Sequence, residues 1–190
     1  EADRLQNLVD RLLAPYRTGR SLSDINIHEV LERVRQIILA EFPKGLSFIR
    51  DYDVSVPTLR GDREQLLQVF LNIEKNAAEA LDGKIAEGTA EIRVITRVAQ
   101  QVQIGLRRYR LALSIHIQDN GPGVPPEIRD RIFYPLVTGK ANGSGLGLSL
   151  AQNFIRQHDG SIDVESEPGK TDFRILLPLS PPETGDISPA

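Results

Sequence analysis

Cysteine, methionine and tryptophan are absent from the 190 residues. Without thiols there is no disulfide and no thiolate metal site. A chain free of disulfides suits a reducing compartment, and the expectation is a cytoplasmic protein. The lack of any methionine, an initiator included, predicts a piece of a longer product. No apolar run approaches the roughly 20 residues of a membrane helix, and no signal peptide is visible. Basic residues are not in excess either: 23 Lys and Arg stand against 26 Asp and Glu, a formal charge of −3. That balance excludes the broadly basic surface of a nucleic-acid binder, and the short cluster Arg107-Arg108-Tyr109-Arg110 does not change it. What is present is 40% apolar and 26% charged residues, enough for one buried core with flanking pieces.

Residues 2–13 place Leu5, Leu8, Val9, Leu12 and Leu13 at helical spacing, and Pro15 ends the pattern. The stripe fits either a helix that packs on an absent partner helix or a plain cap on the core. Asn26 predicts the start of a helix over 27–41, stopped by Pro43. Residues 46–52 read as a strand. Asp62 caps a long helix to about 81, with Gly83 as its stop and Leu66, Phe70, Ile73, Ala77 and Ala80 as its core stripe. Alternation predicts strands over 91–98 and 109–118 joined as a hairpin. A short helix is expected over 126–132, a loop over 134–145, a helix over 145–158, and strands over 161–166 and 172–178. The last eleven residues, 180–190, carry three prolines and few large apolar groups, and predict disorder. The mixture implies an α+β fold: a mixed sheet covered on one face by helices.

Three stretches carry chemistry. Asn72 and Asn76 lie four apart on one helix face, with Glu79 beside them. Asparagine is a poor helix-interior residue, so the pair is either a solvated face or a pair of neutral oxygen donors of the kind Mg²⁺ takes alongside substrate phosphates. Asp119-Asn120-Gly121-Pro122-Gly123 follows a strand; it is either a plain turn or a backbone that approaches a flat ligand, with a carboxylate to accept from an exocyclic amine. Gly143-Ser144-Gly145-Leu146-Gly147 opens an apolar helix, whose first N–H groups suit phosphate oxygens. The preceding Thr138-Gly139-Lys140-Ala141-Asn142 has the composition of a lid. The dinucleotide fingerprint fails because residue 148 is Leu. Gly169-Lys170-Thr171 fails as a P-loop because a strand follows it, and no serine stands at a hydrolase elbow.

In this order the motifs resemble the catalytic domain of sensor histidine kinases, within the wider gyrase, HSP90 and MutL-like group. Phe133-Tyr134-Pro135-Leu136 between the glycine motifs and Gly169-Lys170-Thr171-Asp172-Phe173 at the last strand belong to the likeness, which covers about residues 60–178. Residues 2–13, Tyr109-Arg110-Leu111-Ala112 and the segment from Phe154 to Gly160 resemble the nitrogen-regulatory, NtrB-type kinases. The resemblance implies a Bergerat-type ATP-binding fold, a two-layer α/β sandwich. It also implies a division into the end of a second dimerisation helix (1–14), a linker (15–26), a catalytic ATP-binding domain (27–179) and a disordered tail (180–190).

For single positions the resemblance implies the following. Asn76 ligates Mg²⁺ on the ATP phosphates and Asn72 supports it. Asp119, with Gly121 and Gly123, binds the adenine amine, and Thr171 reaches adenine through water. Gly143, Ser144, Gly145 and Gly147 serve the phosphates and lid, with Lys140 a further candidate; Phe133 and Leu146 wall the nucleotide. Asn72 stands where hydrolysing relatives carry a glutamate base, and an amide takes no proton at neutral pH. The γ-phosphoryl would then pass to a histidine on the protein's own dimerisation domain, and from there to an NtrC-like response regulator, under a PII-type regulator. His28-Glu29 lacks the Asn-Pro of a phosphoacceptor motif and follows the dimerisation segment, so His28 is read as an ordinary helix residue, and His116 and His158 as structural. The alternatives are a relative that hydrolyses ATP or phosphorylates serine, and a non-catalytic nucleotide sensor.

Overall fold

In a computed structural model the described residues are 19, 21–139 and 143–183. The segment read as a dimerisation helix, Lys140 and residues 184–190 lie outside them. The elements are β1 (Leu22–Ile25), α1 (Ile27–Glu41), β2 (Leu46–Tyr52), β3 (Leu59–Asp62), α2 (Arg63–Ala80), α3 (Asp82–Glu87), β4 (Ala90–Ile104), β5 (Arg107–Asp119), a 3₁₀ turn (Arg129–Arg131), α4 (Gly147–Gln157), β6 (Ser161–Glu167) and β7 (Lys170–Pro178). Five strands form a mixed sheet in the order β2-β4-β5-β7-β6. β2 runs parallel to β4, and the other neighbours are antiparallel. β1 and β3 form a separate two-stranded ribbon.

Alternation decides which face of the sheet is covered. On β7, Thr171, Phe173, Ile175 and Leu177 are buried, while Asp172 and Arg174 between them are not. The buried set joins Val30, Leu31, Val34, Leu66, Phe70, Ile73, Ala151 and Ile155 of the helices in one core, where each large aliphatic side chain contributes about 1.5–3 kcal/mol. The helices therefore lie on one face, and the α+β architecture expected from the sequence is present.

Local chemistry sets the ends of α2. Asp62 Oδ1 accepts from Gln65 N at 3.1 Å, and Oδ2 accepts from Ser21 N at 3.0 Å. Gly83 does not stop the helical run: α3 follows directly, and Gly88, at φ +73°, ends it in the left-handed region. Ala80, assigned to the core stripe, is exposed, and Val69, Glu74 and Ala78 are buried instead. The short helix expected at 126–132 is one 3₁₀ turn. The helix expected from 145 begins at Gly147, because Gly145 takes φ +67°, which a right-handed helix cannot hold. Residues 180–183, read as the start of a disordered tail, are bonded to β5. Ser180 Oγ receives Leu111 N at 3.1 Å, Pro182 bridges Tyr109, and Glu183 N donates to Arg108 O at 2.8 Å.

Two histidines act as fold ties. His158 Nδ1 lies 2.7 Å from Phe154 O, so it carries the proton, and Nε2 accepts from Asp62 N at 2.9 Å. This bond fastens the end of α4 to the start of α2. His28 Nε2 meets Thr96 Oγ1 at 2.8 Å, and the ring stacks on Tyr52 at 4.7 Å.

Candidate functional site: a face between two glycine loops

The sheet ends at Asp119 on β5 and Thr171 on β7, which are Cα partners across the ladder. Both side chains point to the helix-covered face and are buried. Asp119 Oδ1 accepts from Gly121 N at 2.9 Å, and Oδ2 has no hydrogen-bond partner among the described residues. Burial pushes the Asp119 carboxyl up to about 6, opposed by the Gly121 N–H. A desolvated carboxylate with one oxygen to spare is a strong acceptor for an amine.

The loop behind Asp119 is braced from three sides. Gly169 N donates to Gly121 O at 2.8 Å, tying it to the β6–β7 turn. Val124 N donates to Ser166 Oγ at 2.7 Å, and that oxygen lies 3.2 Å from Thr171 Oγ1. Asn120 holds the start of β4: its Oδ1 accepts from Glu91 N, and its Nδ2 donates to Thr89 O, each at 2.9 Å. Gly123 has φ +87°, and a Cβ there would sit 2.8 Å from Glu167 O. No other residue type fits that position without displacing β6.

The second half of the site joins α2 to α4. Gln68 Nε2 donates to Asn72 Oδ1 at 2.8 Å, and Asn72 Nδ2 donates to Gly147 O at 3.0 Å. Asn72 is thus a strap between the long helix and the first residue of α4. Asn76, one turn further on, is half-buried on the same side of the helix. The Gly143 segment is closed at its base by Leu136 N donating to Gly145 O at 2.9 Å. A Cβ on Gly145 would lie 2.5 Å from Leu136 C. Leu146 is buried, and Ser144 Oγ is a distant acceptor for Leu146 N at 3.4 Å. Phe133 packs edge-on against Phe173, with centroids 6.3 Å apart, which sets it two residues along β7 from Thr171.

The structure brings together on one side Asp119, Gly121, Gly123 and Thr171, and on the other Asn72, Gly145 and Gly147. The halves meet where a Cβ on Gly121 would fall 3.5 Å from Leu81 Cδ2 and 3.6 Å from Ala80 O, at the end of α2. Among the described residues no three His, Asp or Glu side chains cluster to hold a metal. The donor set at Asn72 and Asn76 is neutral amide oxygen. It fits Mg²⁺ only where phosphates complete the shell. Glu74 lies two residues before Asn76 on α2. It is fully buried, and neither carboxyl oxygen has a hydrogen-bond partner.

Residues 61–181 match the family described as histidine kinase-, DNA gyrase B-, and HSP90-like ATPase. The chain belongs to that family. The sensory histidine kinase/phosphatase NtrB of Salmonella typhimurium is 49% identical over 179 residues, covering 94% of this chain and 50% of the relative. The NtrB of Rhodobacter capsulatus is 44% identical over 167 residues, covering 85% and 45%. The chain spans about half the length of these curated relatives. The full-length ShkA structure in complex with AMPPNP shares 25% identity at a TM-score of 0.73, covering 94% of this chain and 36% of that one. Histidine kinase ThkA in complex with response regulator protein TrrA shares the fold, at 22% identity and TM-score 0.69, covering 96% and 48%.

Within this ATPase-like family fold, two residues of the site escaped the sequence reading. Gln68 was findable, because a glutamine four residues before an asparagine shares its helix face and can bond it. Ser166 carries no local signal: its role comes from strand pairing that sets it beside Thr171.

Proposed function

We propose that this chain is the ATP-binding catalytic domain of an NtrB-type sensor histidine kinase. Asp119 accepts the adenine amine, and Thr171 reaches the ring edge. Asn76 holds Mg²⁺ on the phosphates, with Asn72 in support. The N–H groups of Gly143, Ser144, Gly145, Leu146 and Gly147 face the phosphate chain, joined by Lys140. Phe133 and Leu146 wall the nucleotide. Bound Mg²⁺ supplies charge neutralisation on the γ-phosphoryl group; the protein's part is to hold the chain in line for attack. The observation that carries this reading is the half-used, buried carboxylate of Asp119, set beside Thr171 at the ends of two central strands.

Transfer rather than hydrolysis follows from Asn72. Its Oδ1 is already an acceptor for Gln68 and its Nδ2 a donor to Gly147, so it has neither the chemistry nor the freedom of a base for water. The γ-phosphoryl goes to a histidine on the protein's own dimerisation domain, then to an NtrC-like response regulator, with a PII-type protein as regulator. No described helix is long and apolar enough to cross a membrane, which is in keeping with a cytoplasmic kinase. The test mixes the chain with labelled ATP, Mg²⁺ and a separately produced dimerisation domain bearing its histidine. Acid-labile label on that histidine is expected. Phosphate release by the chain alone, with none transferred, would refute the assignment.

A further inference from the structure

The residues assigned to the phosphates stand where two helices meet, and α4 is fastened to α2 at both of its ends. At the first residue of α4, Gly147 O accepts from Asn72 Nδ2 at 3.0 Å. At the far end, Gln157 Oε1 accepts from Gln65 Nε2 at 3.0 Å, and His158 Nε2 accepts from Asp62 N at 2.9 Å. α4 thus lies antiparallel along α2. The two far bonds are not equivalent. Gln65 and Gln157 join two flexible, half-buried side chains, and Gln65 Oε1 is buried without a hydrogen-bond partner. His158 bonds the main chain of the residue that caps α2, so no side-chain rotamer lies between the imidazole and that helix. Its hydrogen-bond direction is fixed. A backbone N–H only donates, so Nε2 carries no proton, and Nδ1 gives its own to Phe154 O at 2.7 Å. The ring is 8% exposed and rests on bare backbone: a Cβ on Gly61 would fall 3.0 Å from both Cδ2 and Nε2.

We propose that His158 is a positioning residue for phosphoryl transfer: it fixes α4 lengthwise on α2, and so sets the first turn of α4 level with Asn72 and Asn76. The inference rests on the ATP-binding reading above. Helices carry a displacement as rigid elements, so a slip at His158 reappears at Gly147. The Asn72 bond alone leaves α4 free to pivot about it. Misplacing reacting groups by about 1 Å costs roughly 10²-fold in rate. The Asp119 side does not share this dependence, because its braces run to β4, to β6 and to the β6–β7 turn.

The experiment splits the imidazole into its two halves. In H158N the short amide takes the place of Nδ1: it keeps a donor for Phe154 O and loses the acceptor for Asp62 N. In H158Q the longer amide takes the place of Nε2: it keeps the acceptor, and Phe154 O retains the backbone N–H of residue 158, at 3.2 Å in the wild type. Each variant, and G61A, is mixed with labelled ATP, Mg²⁺ and the separately produced dimerisation domain, and the transfer rate at saturating ATP is read beside adenosine affinity. H158N should slow transfer roughly 10- to 100-fold with adenosine affinity unchanged, and H158Q should restore the rate to within about threefold of wild type. G61A keeps the histidine but presses its ring away from Asp62, and should slow transfer by a smaller factor. Equal rates in H158N and H158Q, whether both slow or both at the wild-type level, overturn the inference, since a tie that only stabilises the fold shifts melting without separating the two amides. Adenosine affinity falling in step with transfer in H158N overturns it as well. If H158N does not fold, G61A decides, and a wild-type transfer rate there overturns the inference. No transfer by the wild-type chain overturns the underlying reading instead.

Discussion

The loop after Asp119 and the loop before α4, both assigned to the nucleotide in the proposed function, are held differently. The first is bonded along its length: Asn120 to β4, Gly121 to Asp119 and Gly169, Val124 to Ser166. The second is joined, among the described residues, by Leu136 N to Gly145 O, Asn72 Nδ2 to Gly147 O and Leu146 N to Ser144 Oγ. Beside those bonds Tyr134 and Leu136 are exposed by 60% and 68%. A base pocket built during folding costs little to order on binding, whereas the phosphate side depends on the contact between two separate helices, α2 and α4. Specificity and affinity should thus reside on the adenine side and turnover on the phosphate side.

Asn76→Ala gives the largest effect on the proposed reading, in which Asn76 is the ligand for Mg²⁺ on the phosphate side. Phosphotransfer should fall roughly 10²- to 10³-fold, while adenosine, which has no phosphates, binds as before. A parallel loss of adenosine affinity would place Asn76 in the base site and break the distinction. Gly123→Ala comes next. It forces a side chain onto Glu167 O at φ +87°, a strain of about 1–3 kcal/mol, and should weaken adenosine and ATP alike by about 10- to 100-fold in a titration. Gly145→Ala clashes with Leu136 and should instead lower the transfer rate more than adenosine affinity.

The pH dependence sharpens the adenine side. Burial holds the Asp119 carboxyl at about 6, and in the proposed function it accepts from the amine in its ionised form. ATP affinity should be flat above pH 6 and drop about tenfold per unit below it. Asp119→Asn should bind more weakly and lose this profile; an unchanged profile would give the titration to another group.

The long-range devices of the site were the least legible in the sequence. α2 was readable because Asp62 caps it and its apolar residues recur at helical spacing. The glycine motifs were readable because turn chemistry is local. The β1–β3 ribbon escaped notice, since four-residue strands show too little alternation. Ser166 escaped because its partners lie on other elements, and His158, read as structural, gave no sign of its partner Asp62 for the same reason. Glu74 contradicted its own pattern, as a carboxyl belongs in water unless the fold traps it.

That trapped carboxyl lies on the helix shared by both loops and should affect stability without affecting either. Burial, reinforced by the nearby Glu32 charge, holds Glu74 well above its ordinary value of 4.5. The folded state therefore favours the protonated form. Its contribution is fully present below pH 4.5 and is lost as the pH rises through the folded-state value. Glu74→Gln should flatten that slope in thermal melts across pH. Glu74→Leu should add about 1–3 kcal/mol at neutral pH, with adenosine affinity and transfer rate unchanged.

Gln68→Ala is the smallest change and tests the strap directly. Without Gln68 the Asn72 amide is free to turn, so its Nδ2 no longer stays aimed at Gly147 O and the foot of the phosphate loop loosens. One neutral hydrogen bond is worth about 1 kcal/mol, so transfer should slow about fivefold, with adenosine affinity intact. Gln68→Glu should behave the same way, since a carboxylate cannot donate to Asn72 Oδ1 and would draw the amide N–H toward itself. If Gln68→Glu transfers at the wild-type rate, the orientation of Asn72 has no bearing on turnover, and the phosphate side owes its hold to Leu136 and Gly145 instead.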